Sequence, residues 1–383
     1  MMQQAFANCR VLQDGVLREN HAVIVEGGRI ADILPAARLS SATPRHDLAG
    51  AILAPGLIDI QVNGGGGVLF NDTPTVEAIR AIGAAHARYG TTGFLPTLIS
   101  TDLATIARAM DAVDAAIAAG VPGVLGIHVE GPFLSSARKG IHDDAHFRPL
   151  DAEAFSLLTR KRRGCVLLTL APEAVPAAMI RALAEAGVLV CAGHSDADFA
   201  TVYEGLKAGI RGFTHLFNAM RPLQSREPGP IAAALESPAA WYGLIVDGWH
   251  VSPATLRLAL RGCGHPMLVT DAMATVGGHQ STFHLYGSEI NVVDGRCLRS
   301  DGTLAGAALD MAAAVRNCAR LLHVPLTDAL RFASRNPAEF IGVGHFLGRL
   351  APGYRADVVA IDPGPIAVLA TWVAGKEEFL AEA

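Results

Sequence analysis

The sequence predicts an α/β fold, a (β/α)8 TIM barrel with a small β-sandwich domain formed by both chain ends. Two observations lead to this prediction. From about residue 54, short apolar runs rich in β-branched residues alternate with Ala-rich helical stretches, whereas the two chain ends break this rhythm. The strand-like runs number eight, as a TIM barrel requires. They lie at residues 56–63, 92–100, 124–130, 165–171, 188–194, 212–216, 242–246 and 267–271.

Several of these runs are apolar almost throughout, which is typical of parallel strands buried on both faces. Helical stretches lie between most of them and would connect each strand to the next. The predicted helices are residues 75–88, 103–119, 174–186, 196–208 and 252–261.

Both chain ends contain signals of short strands. Residues 5–53 have alternating runs and a turn signal at Gly27-Gly28, and residues 348–361 have the pattern of a turn followed by a strand. We expect these ends to pair beside the barrel. The predicted domains are a β-sandwich of residues 1–53 and 346–383, and the barrel of residues 54–345.

An insertion of residues 276–303 follows the eighth predicted strand. Its apolar and polar residues alternate, and Asp294-Gly295 separates two of its runs. An Asp-Gly pair between alternating runs is a strong signal for a two-residue turn. The insertion is therefore predicted to be a β-hairpin.

Composition and charge argue against several classes of partner. The 383 residues have a net charge of −5, and no basic stripe of the kind that binds nucleic acid is present. No apolar run approaches the length of a membrane span, and residues 1–4 do not read as the start of a signal peptide. Six scattered cysteines suggest reduced thiols. We therefore expect a cytoplasmic protein without nucleic-acid or membrane partners.

Polar residues recur where the predicted strands end, which is where TIM barrels place their active sites. Glu130 ends the third strand, His194 the fifth, and His215 lies in the sixth. Two imidazoles and a carboxylate are a usual ligand set for a catalytic divalent ion and leave a position for water. Asp271 ends the eighth strand and could take a proton from that water.

Two amide side chains lie at the end of the first strand. Gln61 and Asn63 are two residues apart and therefore share one face of the strand. Amides are weaker metal ligands than imidazoles, so these residues suit orientation and hydrogen bonding. In the loops, Arg226 suits phosphate recognition because a guanidinium can bind two oxygens, and residues 138–142 also look substrate-facing.

These residues together resemble the N-acetylglucosamine-6-phosphate deacetylases of the amidohydrolase superfamily. The resemblance extends from Pro55 to the segment 348–357, nearly the whole chain. It is most specific in the His-Leu-Phe-Asn-Ala-Met segment that begins at His215 and in Arg-Glu-Pro-Gly from Arg226. It also includes the segments 55–59, 128–133 and 192–195.

The resemblance implies a role for each matching residue. Glu130, His194 and His215 match the metal ligands, and Asp271 matches the general acid/base. His142 matches a histidine that contacts the acetyl carbonyl. The residues implied to contact the substrate are Ile141, Asn218, Ala219, Arg226, His250, Leu304, Ala305 and Gly306, besides Gln61 and Asn63.

The resemblance also implies one divalent metal ion per subunit and a homodimer. Many amidohydrolases have His-x-His where this chain has Gln61-Val62-Asn63, so a second ion is not expected. Ala307 stands where the family often has Ser. We expect zinc, while iron, manganese and cobalt remain alternatives because imidazole and carboxylate accept each of them.

The activity that follows is hydrolysis of N-acetyl-D-glucosamine 6-phosphate to D-glucosamine 6-phosphate and acetate. Three alternatives remain. The substrate could be the galactosamine epimer, or the chain could be a ring amidase of the dihydroorotase type, although those sites usually have two metals. It could also be a non-catalytic sugar-phosphate-binding protein, although none of the catalytic residues is lost.

Overall fold

The computed structural model describes residues 3–381, and its centre is a barrel of eight parallel strands. Each strand pairs with the next along the chain. The barrel closes where the Asp271 N–H donates to the Gln61 carbonyl at 3.0 Å and the Asn63 N–H donates to the Ala272 carbonyl at 2.9 Å. The predicted TIM barrel is therefore confirmed. Its strands are Leu57–Val62, Thr91–Ile99, Gly126–Glu130, Cys165–Leu170, Leu189–Ala192, Ile210–Phe213, Trp241–Leu244 and His265–Leu268.

Burial explains the continuous apolar runs. Every residue of Leu57–Val62 and of Thr91–Ile99 is buried, because these strands face the barrel interior on one side and the helices on the other. The main core joins both sides. The eight strand ends at the carboxyl edge are therefore held rigidly, and the site lies at that edge.

Helices surround the barrel, and all five predicted helical stretches coincide with helices. Two of them begin three residues later than predicted, because Pro176 and Asp198 take the capping positions. The α-helices are Val76–Ala87, Leu103–Ala118, Ala152–Thr159, Ala177–Glu185, Phe199–Ala208, Gly229–Glu236, Pro253–Ala259, Met311–Leu322, Leu326–Ala333 and Arg335–Phe340. Three short 3₁₀ helices are Ala36–Arg38, Ser136–Arg138 and Asp144–His146. Among the described residues, no helix is both long and apolar enough to cross a membrane.

Strands from both chain ends form one eight-stranded sheet beside the barrel. Ile52–Pro55 joins the two ends, because it pairs parallel to Gln3–Gln13 and antiparallel to Val358–Asp362. A separate apolar cluster includes Phe6 and Trp372. The division into domains at residues 53 and 346 stays a prediction. The other strands of the sheet are Val16–Glu26, Arg29–Pro35, Arg45–Asp47, Ala367–Val373 and Lys376–Leu380.

The insertion after the eighth strand is larger than a hairpin. It has four antiparallel strands, and Asp294 and Gly295 form one of its turns with φ of 51° and 77°. Its apolar face packs on the barrel mouth in a cluster that contains Ile99 and Met273. The four strands are Thr282–Leu285, Ser288–Val293, Arg296–Arg299 and Leu304–Ala307, and a separate pair is Gly64–Gly65 with Val68–Leu69.

Candidate active site

Glu130, His194 and His215 converge at the carboxyl edge of the barrel. The Nε2 atoms of the two imidazoles are 3.0 Å apart, and each lies 3.0–3.1 Å from Oε1 of Glu130. All three residues are buried. The three donor atoms are therefore close enough together to bind one ion between them.

The hydrogen bonding of His194 shows that the triangle suits a cation. Its Nδ1 lies 3.0 Å from the carbonyl of Arg138, which can only accept, so Nδ1 carries the proton. The Nε2 lone pair then points at the Glu130 carboxylate. Two electron-rich groups at this distance repel each other unless a positive charge lies between them. The donor set therefore fits a divalent ion.

The charge on Glu130 is maintained despite its burial. Burial raises the pKa of this carboxyl, but the polar groups packed against it, His194 and His215 first among them, outweigh burial and hold the pKa well below its usual range. A buried carboxylate that stays ionised needs a positive partner. This supports the assignment of Glu130 as a ligand.

The two proposed histidine ligands and Asp271 adopt left-handed backbone conformations. The φ angles are 48° at His194, 31° at His215 and 53° at Asp271. Each such non-glycine residue costs of order 1–3 kcal/mol and persists only where the surroundings hold it. The strain allows the chain to turn sharply after each strand, with its side chain directed into the site.

Asp271 lies beside this triangle and is held by the two amides of the first strand. Asn63 Nδ2 donates to Oδ1 of Asp271 at 2.6 Å, and Gln61 Nε2 donates to the same oxygen at 3.2 Å and to Oε2 of Glu130 at 3.1 Å. Burial and the charge of Glu130 raise the pKa of Asp271 to about 6. A carboxyl with a pKa near neutrality can both accept and return a proton.

His142 is held in one tautomer by Ser100. The backbone N–H of Ser100 donates to Nδ1 at 3.3 Å, and the hydroxyl of Ser100 lies 2.7 Å from the same atom. Burial, followed by the neighbouring His194, holds the pKa of His142 well below its usual value. The ring is therefore neutral, with its proton on Nε2, where it can donate to a substrate oxygen.

A cavity of about 210 Å³ connects these groups. Most of the predicted site residues line it. Its walls comprise Asn63, Ile99, Glu130, Gly140, Ile141, His142, His194, His215, Asn218, Ala219, His250, Asp271, Met273, Thr303, Leu304 and Gly306.

Three predicted substrate contacts are not on the cavity wall. Gln61 is buried and donates to the carboxylates of Glu130 and Asp271. Ala305 is fully buried in the core beneath the insertion, between the lining residues Leu304 and Gly306. Arg226 is exposed, and it has no ion pair or side-chain hydrogen bond in the described part of the chain. Arg138 likewise turns its guanidinium to Asp196 rather than into the cavity.

Sequence reasoning missed two residues that orient the site. Ser100 fixes His142, and Asp247 accepts from Nδ1 of His250 at 2.6 Å. Asp247 also accepts the backbone N–H groups of Trp249 and His250, so it shapes the turn after the seventh strand. The Asp-Gly pair at residue 247 was the available signal, because Asp accepts such local bonds in turns.

Comparison with known proteins places this chain in a family. A family model described as amidohydrolase family matches residues 52–379, and one described as NagA composite domain matches residues 4–53. A relative from Shewanella sp. (strain ANA-3), named N-acetylgalactosamine-6-phosphate deacetylase, is 43% identical over 378 residues, which cover 97% of this chain and 95% of the relative.

Two solved structures are similar over nearly the whole chain. N-acetylglucosamine-6-phosphate deacetylase from Pasteurella multocida has a TM-score of 0.94 at 33% identity, covering 98% of this chain and 99% of that one. A mutant of the Mycobacterium smegmatis deacetylase, in complex with N-acetyl-D-glucosamine-6-phosphate, has a TM-score of 0.89 at 30% identity and covers 99% and 100%. This chain therefore belongs to the amidohydrolase family and is a hydrolytic enzyme.

Proposed function

We propose that the enzyme hydrolyses N-acetyl-D-glucosamine 6-phosphate to D-glucosamine 6-phosphate and acetate. The observation that carries this proposal is the buried Glu130, His194 and His215 triangle beside Asp271 in one cavity. An ion ligand set and a proton carrier are what amide hydrolysis by water needs. The choice of substrate is supported by the deacetylases that resemble this chain over nearly their full length, which are named for N-acetylglucosamine 6-phosphate.

The residues of the chain divide the reaction between them. An ion at the triangle would acidify the attacking water and polarise the acetyl carbonyl. Asp271 takes a proton from the water as its oxygen bonds to the carbonyl carbon. Nε2–H of His142 donates to the oxygen on which negative charge develops. Asp271 then gives its proton to the amide nitrogen, the C–N bond breaks, and acetate and the free amine leave.

Zinc is the ion that we propose, at one per chain. A carboxylate and two imidazoles suit zinc, although iron, manganese and cobalt accept the same ligands. The amides of Gln61 and Asn63 occupy the end of the first strand and bond to the carboxylates. This arrangement supports a single ion, because no imidazole is offered there to a second one.

N-acetyl-D-galactosamine 6-phosphate is a second candidate substrate. The Shewanella relative, named for this epimer, shares 43% of its residues with the chain, whereas the two solved structures share 33% and 30%. The two sugars differ only at C4. The test is kcat/KM for both sugar phosphates, followed by acetate release. A higher kcat/KM for the glucosamine substrate supports the main proposal, and the reverse order replaces it.

We also propose that the enzyme is a homodimer. Arg226 is exposed and does not line the cavity of its own chain, so it is available to a neighbouring subunit. A guanidinium is well suited to bind a phosphate group. Sedimentation equilibrium tests the dimer. If Arg226 binds phosphate, Arg226→Ala raises KM for the sugar phosphate and leaves unphosphorylated N-acetylglucosamine unaffected.

The cytoplasm is the proposed location. None of the six cysteines is paired, and four of them are buried. Unpaired thiols in a chain of this length suit a reducing compartment.

A further inference from the structure

We propose that Asp196 is a positioning residue that sets the affinity of the ion site. It touches neither the cavity nor the three proposed ligands. It acts through Arg138, whose backbone carbonyl holds His194. The inference rests on the proposed ion site but not on the identity of the substrate.

Asp196 connects the three loops that follow the ligand-bearing strands. Its Oδ1 accepts from Nε of Arg138 at 2.7 Å, in the loop after the third strand. Its Oδ2 accepts from Arg221 at 3.1 Å, in the loop after the sixth strand. Asp196 itself follows His194 by two residues. One carboxylate therefore ties together the loops next to Glu130, His194 and His215.

The link to the ion site is the hydrogen bond from Nδ1–H of His194 to the Arg138 carbonyl, at 3.0 Å. This bond leaves the Nε2 lone pair free for an ion. A metal-binding histidine is commonly oriented in this way by a partner on its other nitrogen. If Arg138 moves, the imidazole loses its fixed direction, although the ligand itself is still present.

The backbone around His194 makes this support necessary. His194 adopts a left-handed backbone conformation, with φ of 48°. Its carbonyl accepts the N–H of Ser135 at 3.0 Å, and Glu173 accepts both the Ser195 hydroxyl, at 2.7 Å, and the Asp196 N–H, at 2.5 Å. A strained conformation persists only where such contacts hold it. The Asp196 ion pairs complete this set.

The ion pairs themselves add little to global stability. The side chains of Arg138, Asp196 and Arg221 are each about one-third exposed, at 32%, 30% and 30%. Partly exposed pairs are screened by water and contribute at most modestly to the free energy of unfolding. The expected consequence of losing them is therefore weaker ion binding rather than unfolding.

The test is Asp196→Asn with Asp198→Asn as its matched control. Both changes remove one carboxylate charge from the same loop, but Asp198 caps the helix Phe199–Ala208 and does not contact Arg138. Metal-free proteins are titrated with Zn²⁺ in competition with a chromogenic chelator, without substrate. We expect Asp196→Asn to weaken Zn²⁺ binding about 10-fold and Asp198→Asn to leave it unchanged, with unchanged thermal midpoints of both metal-free variants.

A second variant tests the same ion pair from its other partner. Arg138→Ala keeps the backbone carbonyl but removes the ion pair, so it should weaken Zn²⁺ binding as much as Asp196→Asn. The double variant should be no worse than either single one, because both act through the same contact. Unchanged Zn²⁺ affinity in Asp196→Asn, an equal loss in Asp198→Asn, or additive losses would overturn the inference. Because the titration uses no substrate, its outcome can be told apart from a failure of the proposed deacetylation.

Discussion

The carboxyl group of Asp271, at the carboxyl edge of the barrel, is surrounded by polar and charged neighbours. Two amides donate to it, and Glu130 places a negative charge nearby. Burial raises its pKa to about 6, so both of its protonation states are accessible near neutral pH. These contacts make Asp271 the best-placed proton carrier in the cavity.

Replacing Asp271 by Asn tests this role. The amide cannot take a proton from water, so kcat should fall by roughly 10²–10⁴-fold, the usual contribution of general acid–base catalysis. Zn²⁺ binding should change little, because Asp271 is not one of the three ligands. Asp294→Asn, in the exposed turn of the insertion, is the control. Near-normal turnover by Asp271→Asn would refute the assignment.

The pH dependence of kcat/KM follows from the same contacts. Asp271 must be ionised to accept a proton, so activity should fall as pH drops through its pKa. The Asn63 hydrogen bond lowers that pKa. Asn63→Ala should therefore move the acidic limb of the profile to higher pH, by up to about one unit. An unchanged or downward midpoint would show that another group controls this limb.

Local patterns identified most of these side chains but not their partners. Glu130, His194, His215 and Asp271 stand at strand ends, and a barrel brings such ends together whatever the intervening sequence. Ser100, the last residue of the second predicted strand, and Asp247, after the seventh, were given no role, because nothing in the local sequence distinguishes such a residue from one that merely ends a strand or forms a turn. The bond between Asn63 and Asp271 joins residues 208 apart, so only the closed barrel reveals it.

Among the elements, the antiparallel insertion contributes most to the mouth of the site. Tyr286 in its first turn donates its hydroxyl to the Ser100 carbonyl at 2.7 Å. Ser100 in turn holds His142. The insertion thus connects to the proposed oxyanion donor through two hydrogen bonds.

Removing the tyrosine hydroxyl tests that connection. Tyr286→Phe keeps the ring in the apolar cluster but loses one hydrogen bond, which is worth about 0.5–1.5 kcal/mol. We expect kcat/KM to fall roughly 3–10-fold with Zn²⁺ affinity unchanged. Tyr203→Phe, at an exposed position on a barrel helix, should be neutral. Equal kinetics for the two variants would show that the Tyr286 hydroxyl does not support His142.

Two of the elements that sequence reasoning missed had weak or misleading signals. Gly229–Glu236 begins with Gly-Pro, which reads as a loop, although Pro is well suited to the first turn of a helix. The insertion was predicted as a single hairpin because only the Asp294-Gly295 turn was recognised, although Asp301-Gly302 has the same sequence and lies in the turn before Leu304–Ala307. Its first turn places Tyr286 at φ of 49°, and a bulky residue there gives no such signal.

At the scale of the whole molecule, the barrel buries histidines that belong to its packing. His86 is fully buried, its Nε2 bonds to the Gly64 carbonyl at 2.9 Å, and burial lowers its pKa to about 4. The folded state therefore keeps His86 neutral at pH values where the unfolded chain binds a proton. Stability from this residue is present above pH 6.5 and is lost as pH falls toward 4.

A comparison with His86→Leu isolates that contribution. The free energy of unfolding is measured by urea denaturation at pH 7 and at pH 5 for both proteins. The wild type should lose about 2 kcal/mol more than the variant between these two pH values, since only the wild type has the titrating group. The prediction is contradicted if the free energy of unfolding falls by the same amount in both proteins.

Amide hydrolysis by this enzyme requires one ion held by Glu130, His194 and His215 in the mechanism proposed above. The most direct measurement is acetate release from N-acetyl-D-glucosamine 6-phosphate by metal-free enzyme during stepwise addition of Zn²⁺. We predict no turnover at the start and a rise that levels off at one ion per chain. Full activity without metal, or a plateau only at two ions per chain, would contradict the account.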